Sequence, residues 1–188
     1  KVVSDSYPFA RTLYRNTPDA KVTEQGAPGG DWQPGSNHTT RNIAAFNYAT
    51  YPVRYWKIDG TTNSNHPNNS ILVSITTDEN NNKVRTFMNS AGQVLLKQVQ
   101  MDETLEGVST PWLETYFIYD QFGRLTYQVP PKAMKVLGAV TSLNANNSTV
   151  SELIYKYTYD NKGRLQIKKE PGAAEQHFVY DNHDRLVF

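Results

Sequence analysis

A short aromatic and acidic motif recurs three times in the second half of the chain and constrains its fold more than any other feature. Each copy places Tyr directly before Asp, and five residues after the Tyr comes Arg followed by Leu. The three copies are FIYDQFGRLTY from Phe117, YTYDNKGRLQI from Tyr157 and FVYDNHDRLVF from Phe178. Catalysis needs one convergent site, so an Asp–Arg pair repeated three times along a chain is poor evidence for a catalytic centre. The repetition indicates a modular unit of structure instead.

The spacing inside each copy predicts a β-hairpin with a three-residue turn. In the middle copy, a type I turn followed by Gly163 in the left-handed conformation forms a G1 bulge. Asp160 then lies opposite Arg164, and Tyr159 lies opposite Leu165. We expect an apolar Tyr–Leu face, with the Asp–Arg pair on the other face. One step further out, the same count pairs Tyr157 with Ile167, Phe117 with Tyr127 and Phe178 with Phe188.

Two weaker relatives of the motif precede the three copies. FMNSAGQVLL, from Phe87, has Asn89 in place of Asp and Gln93 in place of Arg. TTDENNNKV, from Thr76, is interpreted as a fifth copy with one extra residue. In the last copy Asp184 replaces the turn glycine, and Asp tolerates the left-handed conformation better than most residues that have a side chain.

Period-two alternation of apolar residues predicts strands through most of the remaining chain. Leu153, Tyr155, Tyr157 and Tyr159 fall on one face, as do Leu125, Tyr127 and Val129. The best helix candidate is the segment 131–138, where Pro131 begins the helix and Gly138 ends it. The predicted fold is therefore all-β, with antiparallel hairpin repeats that form a curved sheet and at most one or two short helices.

The chain divides by composition into two parts. Residues 1–72 are predicted to form an amino-terminal β region, in which a strand at 9–15 pairs with the segment from Lys21. The segments 24–38, 59–70 and 144–149 are predicted to be loops, because they are rich in Gly, Pro and Asn. Residues 73–188 are predicted to hold the hairpin repeats. The chain begins without Met and ends within an apparent strand, so we expect one continuous fragment of a larger protein.

Charge and composition narrow the range of functions. The formal net charge is +1, with acids and bases interspersed, so we expect no nucleic-acid partner. The chain contains no cysteine, which excludes disulfides and thiolate metal sites, and no apolar run suits membrane insertion. The four histidines, His38, His66, His177 and His183, lack ligand spacing on one regular element. We expect no catalytic residue, no cofactor and no metal site.

Trp32 is the candidate ligand-binding residue of the sequence. It lies in a Gly/Pro-rich loop between polar residues, where an exposed aromatic face suits stacking against a sugar ring. The alternative is that the indole buries its ring and anchors the loop. A glycan-binding β module that uses Trp32 is therefore the rival to a purely structural function, and an enzyme with a cleft between hairpin layers is the weakest interpretation.

The Y-D-x-x-G-R-L motif, with its aromatic lead-in, resembles the YD repeat of rearrangement-hotspot (Rhs) and related proteins. Longer stretches resemble the amino-terminal part of the YD-repeat region in large Bacteroidetes Rhs-type proteins. These are EQGAPGGDWQPG from Glu24, VRYWKIDG from Val53, VSITTDENNNKVRTFMNSAGQVLLKQ from Val73, YFIYDQFGRLTYQVPPKA from Tyr116 and the close of the chain from Tyr155.

The resemblance implies architecture more than chemistry. The family that this chain resembles consists of large secreted or cell-surface bacterial polypeptides. Their repeats wind a β-sheet spiral into a hollow shell. In toxin-bearing members, the shell encloses a variable carboxy-terminal toxin domain. The expected partners are therefore neighbouring repeats of the same parent chain, an encapsulated toxin domain or a surface glycan.

Overall fold

The computed structural model describes residues 6–101, 112–138, 141–143 and 148–187, and most of its strands join one antiparallel sheet. The strands are β1 (Arg11–Tyr14), β2 (Val22–Gly26), β3 (Thr40–Phe46), β4 (Arg54–Trp56), β5 (Thr62–Asn65), β6 (Leu72–Thr77), β7 (Lys83–Met88), β8 (Val94–Gln100), β9 (Trp112–Tyr119), β10 (Leu125–Val129), β11 (Tyr155–Tyr159), β12 (Leu165–Lys169) and β13 (Gln176–His177). The main sheet has eleven strands in chain order, and β4 and β5 form a separate pair. The all-β prediction, with few and short helices, is confirmed.

Helix α1, Pro131–Leu137, confirms the predicted helix. Proline lies in its first turn, where a missing backbone N–H costs nothing. Gly138 follows with a φ of +49°, and its N–H donates to the carbonyl of Met134 at 3.1 Å. A second short helix, α2 (Ser148–Ser151), begins within the predicted loop 144–149, of which residues 144–147 lie outside the described part of the chain. None of the described helices is long and apolar enough to cross a membrane.

One row of buried side chains crosses the centre of the sheet. Directly paired residues of five neighbouring strands make up the row: Val73, Phe87, Leu96, Tyr116 and Val129. Each of them is at most 3% exposed. This burial of apolar surface identifies the strands from β6 to β10 as the core of the sheet.

A second layer packs against this row and closes the core. It contains the β4–β5 pair, α1, Leu143 and Ile154. Val53, Trp56 and Leu137 are buried in the same cluster. Hydrogen bonds connect its parts: Thr62 N–H donates to the Thr141 carbonyl at 2.8 Å, and the Arg54 guanidinium donates to the Gly138 carbonyl at 2.6 Å. Strand β5 was missed in the predicted loop 59–70, because its sequence TNSN is wholly polar.

The carboxy-terminal hairpins lack such a core. No residue between 155 and 187 is buried, and the strands β11 and β12 are mostly half-exposed. At the other side of the sheet, β3 and β6 pair over six residues, so the sheet is continuous across the boundary proposed at residue 72. The division into two parts stays an interpretation of the sequence.

The predicted pairing is correct beside the turns and wrong one step further out. Tyr119 pairs with Leu125 and Tyr159 with Leu165, as predicted. Beyond these pairs the register shifts, because each hairpin has one extra residue after the Leu, at 126 and 166. Tyr157 therefore faces Lys168 instead of Ile167, and Phe117 faces Gln128 instead of Tyr127. Phe188, the predicted partner of Phe178, lies outside the described residues.

The same shift separates Leu125 from the face that it was predicted to share. Leu125 pairs with Tyr119, whereas Tyr127 pairs with Ile118. Tyr119 and Ile118 are successive residues of β9 and lie on opposite faces. Tyr127 and Ile118 belong to the buried core, so the predicted apolar Tyr–Leu face is the less buried side of the sheet here.

Candidate functional site

Four hairpin tips lie side by side along one end of the sheet. They close the pairs β7–β8, β9–β10 and β11–β12 and the final bridge between Tyr180 and Leu186. Neighbouring tips touch directly: the Gln93 amide donates to the Gly123 carbonyl at 3.2 Å. A fifth tip, Asp78–Asn82, joins β6 to β7 and lies at the opposite end of β7. The repeated motif thus forms a row of four tips.

Each Asp of the motif closes its own turn. One carboxylate oxygen of Asp120 accepts the N–H groups of Phe122 and Arg124, both at 2.9 Å. The other oxygen accepts Nε of Arg124 at 2.6 Å. Gly123, with a φ of +80°, donates its N–H to the Asp120 carbonyl, which confirms the predicted type I turn with a G1 bulge. Equivalent bonds join Asp160 to Lys162 and Arg164, and Asp181 to His183 and Arg185.

The two weaker copies form the same turn with other side chains. Asn89 accepts the N–H groups of Ala91 and Gln93 through Oδ1, and its amide donates to the Gln93 side chain at 2.7 Å. Asp78 accepts the Asn82 amide at 3.0 Å. The predicted extra residue in this copy is wrong, since Asn81 takes the glycine position with a φ of +67° at the usual spacing. Asn adopts this conformation more readily than most residues.

The arginines of two copies also contact the tyrosine of the next copy. The Arg124 guanidinium carbon lies 4.7 Å from the ring centroid of Tyr159, and that of Arg164 lies 4.5 Å from the centroid of Tyr180. Both distances are within the range of a cation–π contact. Each Arg therefore bonds to the Asp of its own hairpin and stacks on the Tyr of the following one.

Tyrosine hydroxyls form the second contact between successive hairpins. The Tyr159 hydroxyl donates to the Leu125 carbonyl at 2.9 Å, and the Tyr180 hydroxyl donates to the Leu165 carbonyl at 2.9 Å. Burial raises the pKa of Tyr159 above its ordinary value, which keeps this donor protonated. We call this set of contacts from Arg124 to Tyr180 the tip ladder.

The electrostatics of the turns favour permanent ion pairs. Burial opposes ionisation of Asp120, but the N–H and guanidinium of Arg124 and the N–H of Phe122 outweigh it and lower the pKa of Asp120 below its ordinary value. The same balance lowers the pKa of Asp160. A general acid or base works best with a pKa near the working pH. These carboxylates are acceptors held in place, as a turn requires.

Asp184 has an unfavourable left-handed backbone conformation, and its carboxylate forms ion pairs that offset the cost. It has a φ of +61° where two other copies have glycine. Its carboxylate contacts the Arg164 guanidinium at 2.5 Å and the Lys162 ammonium at 3.0 Å. The residue that disturbs the turn thereby becomes a further contact between the last two tips.

Trp32, the predicted sugar-binding residue, lies in a one-turn 3₁₀ helix, Gly30–Trp32, on the loop after β2. The side chain is 43% exposed and makes an edge-on contact with His38, with ring centroids 5.6 Å apart. The following residue, Gln33, fixes the loop by donating to the carbonyls of Phe9 and Ala27, both at 2.9 Å. The loop therefore holds an accessible indole in a defined position, and sugar binding stays a prediction.

A groove of about 570 Å³ runs between the second layer and two of the tips. Arg54, Lys57 and His66 line one side, and Asn89 and Asp120 line the other. Burial lowers the pKa of His66, which favours its neutral imidazole. No sequence pattern indicates this groove, because the residues of its two walls are far apart in the chain. Within the described residues, no group of three or more His, Asp and Glu side chains is placed to hold a metal ion.

The contacts between hairpins were also missed in the sequence, although a signal for them existed. Tyr precedes Asp in all three strong copies, yet the turn itself needs only the Asp and a left-handed residue. The recurrence of Tyr and Arg therefore pointed to a contact outside the hairpin.

No family model matches the chain, and a search of curated proteins found no match either.

Proposed function

We propose that the chain is a non-enzymatic structural segment of a secreted or cell-surface YD-repeat protein, in which successive hairpins build a β shell. The tip ladder carries the proposal. Its contacts use the residues that define the repeat, and each contact joins one copy to the next. Structural repeats stack in this way when each unit contacts only its neighbours.

The resemblance to Rhs-type proteins supports a specific use of such a shell. The shell would encapsulate or present a carboxy-terminal toxin or effector domain. The partners of this segment are then the neighbouring repeats of its parent chain and the enclosed domain. We call the bonds of a motif Asp to its turn N–H groups and to its Arg the clasp. The pKa values of the clasp carboxylates Asp120 and Asp160 are lowered, which supports the same proposal, because these repeated polar groups serve turns.

The last tip offers a direct test of repeat stacking. Arg185 bonds to Asp181, but its side chain is 75% exposed, and Leu186 is 56% exposed. In the tip ladder, each Arg stacks on the ring of the next Tyr, and each Leu carbonyl accepts the hydroxyl of that Tyr. Arg185 and the Leu186 carbonyl are therefore placed to contact one more Tyr in the same way. We would append a second copy of residues 168–188 after Phe188, which repeats the spacing of 21 residues between Tyr159 and Tyr180.

The appended hairpin is expected to fold onto the last tip. Its amide hydrogens should then be protected from exchange, and the midpoint of thermal unfolding should rise. Two controls carry the same extension, one with Phe in place of the added Tyr and one with Arg185→Gln, and each should lose part of the gain. An extension whose amides exchange like those of an unfolded peptide contradicts repeat stacking. A measurable turnover abolished by Arg164→Ala would contradict the non-enzymatic part of the proposal.

Carbohydrate binding is the second candidate, and the exposure of Trp32 is the observation that favours it. An accessible indole on a fixed loop supplies the apolar face that a sugar ring stacks on. A glycan array probed with the intact chain and with Trp32→Ala tests it. Specific binding lost in Trp32→Ala, and kept when the exposed Tyr14 is changed to Ala, would support this candidate. Identical array profiles for both variants would exclude Trp32 as the site.

A further inference from the structure

Strand β3 has a neighbour along its whole length on one side only. On the β6 side, six of its residues are paired, from Arg41 to Phe46. On the β2 side, only Thr40 and Arg41 are paired, with Gln25 and Glu24. From residue 42 to residue 46, β3 therefore has no β partner on that side among the described residues. Such an edge offers main-chain donors and acceptors to a further strand.

The backbone groups on this open edge can be identified from the pairing. Asn47 donates its N–H to the Ile71 carbonyl at 2.9 Å, on the β6 side. In an antiparallel ladder, alternate residues direct both backbone groups to the same neighbour. Odd-numbered residues of β3 therefore bond towards β6, and Asn42 and Ala44 direct their N–H and C=O groups to the open edge. The pairing of Thr40 with β2 has the same parity.

A cleft of about 490 Å³ lies along this open edge. Val22 and Thr23 of β2 border it on one side, and Asn42 to Ala44 of β3 border it on the other. Leu72 and Met88 of the neighbouring strands also line it. The volume is within the range of ligand-binding clefts. Ile43 is 58% exposed and Phe46 is 53% exposed, so the strand is accessible as well as unpaired.

The charges around the cleft are mainly positive. Arg15, Lys21 and Arg41 line it, together with one carboxylate, that of Glu24. Glu24 is already occupied, since it accepts the Thr39 hydroxyl at 2.6 Å and the Gly35 N–H at 2.9 Å. Bonding to these groups, against the effect of burial, lowers the pKa of Glu24. Arg15 and Lys21 contact Asp19 at the surface, but the three cations outnumber Glu24 and Asp19, so the net charge favours an acidic partner.

We propose that this cleft binds an extended, acidic peptide segment of a partner protein by β-augmentation. The peptide backbone pairs with Asn42 and Ala44 as an additional strand beside β3. Its apolar side chains lie beside Ala44, on the face of the sheet that Leu72 and Ser74 share, and its carboxylates reach Arg15 and Lys21. The proposal does not depend on the role of the chain in a shell.

The test uses three fluorescein-labelled peptides and fluorescence polarisation with the whole chain. The first is Asp-Val-Thr-Val-Glu-Val-Asp, the second is the same peptide N-methylated at alternate residues, and the third has Lys in place of each acidic residue. We expect the first peptide to bind, and each of the other two to bind at least tenfold more weakly. Equal binding of the N-methylated peptide, or no binding of the first peptide below millimolar concentration, overturns the proposal.

Two further measurements locate the bound peptide. The amides of Asn42 and Ala44 should exchange faster than those of Ile43 and Ala45 in the free protein, and the acidic peptide should slow them at least tenfold. Slowing at β1 or β13 in their place would overturn the proposal. Asp19 forms surface contacts with Arg15 at 3.2 Å and Lys21 at 3.7 Å. Asp19→Asn should therefore tighten binding two- to threefold, and Arg15→Gln should weaken it.

Discussion

The centre of the sheet and its carboxy-terminal end hold their hairpins together in different ways. Strands β6 to β8 carry Val73, Phe87 and Leu96 in the buried row, and their tips are closed by Asp78 with Asn82 and by Asn89 with Gln93. Strands β11 to β13 contain no buried residue, and their tips are closed by Asp–Arg ion pairs. The full motif begins at the β9–β10 tip, the last hairpin of the core, and continues through the hairpins that lack a core. Polar contacts between tips replace packing there.

The chemistry of the side chains explains why the two ends differ. A turn of this kind needs only an acceptor for its N–H groups, and the Asn89 amide oxygen serves as well as a carboxylate. Stacking on the next Tyr needs a planar cation with reach, which Arg provides and Gln does not. Gln93 bonds to the carbonyl of the neighbouring tip instead. Both kinds of turn therefore contact the next hairpin, the Asn–Gln turn through one hydrogen bond and the Asp–Arg turn through ring stacking.

The largest expected effect comes from the core. Phe87→Ala removes a ring that is 0% exposed from the centre of the buried row. We expect it to lower the free energy of unfolding by about 3–5 kcal/mol, measured by urea denaturation. Leu165→Ala in the half-exposed hairpin is the matched control and should cost much less. Equal losses at the two positions would show that the two regions do not differ in packing.

Removing a clasp carboxylate is expected to have the next largest effect. The Asp120 side chain is 6% exposed, and Asp120→Ala leaves two turn N–H groups and the Arg124 guanidinium without their acceptor. We expect a loss of about 1–3 kcal/mol in the free energy of unfolding. Asp120→Asn is the control, because it keeps one acceptor oxygen as Asn89 does. If Asp120→Ala lowers the free energy of unfolding less than Asp120→Asn does, the result contradicts a role of the carboxylate in closing the turn.

The same carboxylate predicts a dependence of stability on pH. The folded-state pKa of Asp120 is below the ordinary value of 3.8. Its contribution is therefore fully present above the unfolded pKa and is lost as the pH falls through the folded pKa. Denaturation from pH 7 to pH 2 should show a stability loss below about pH 4 that is smaller in Asp120→Asn. An unchanged profile in that variant would contradict the ion pair.

A smaller effect is expected for the hydroxyl contact between hairpins. Tyr180→Phe removes the donor to the Leu165 carbonyl and keeps the ring. The free energy of unfolding should fall by about 1 kcal/mol. Tyr14→Phe, at a side chain that is 62% exposed, is the control and should change nothing measurable. Equal effects of the two substitutions would contradict the hydroxyl contact.

The smallest effect is expected when a neutral clasp is made charged. Asn89→Asp combined with Gln93→Arg gives the central tip the side chains of the carboxy-terminal ones. Stability should change by less than about 0.5 kcal/mol, because one hydrogen-bonded pair replaces another at a half-exposed tip and the core sets the stability here. A large gain in thermal stability would show that the charged motif acts equally in both regions.

Local chemistry could be predicted from the sequence, and long-range contacts could not. The turn at Asp160 follows from an acceptor, a left-handed glycine and their spacing, and helix α1 follows from Pro131 and Gly138. The extra residue after the Leu of each hairpin, Thr126 or Gln166, was not predicted, because neither residue type is typical of a bulge. The contact between Tyr159 and Leu125 joins residues 34 apart, so it depends on the order of strands in the sheet. Sugar binding at Trp32 stays a prediction.

We infer that Arg and Tyr of successive motif copies hold neighbouring hairpins together. A double-mutant cycle of Arg124→Gln and Tyr159→Leu, measured by urea denaturation, tests it most directly, because the two residues belong to different hairpins. We expect a coupling energy of about 0.5–1 kcal/mol. Additive losses, with a coupling energy of zero within error, would contradict it.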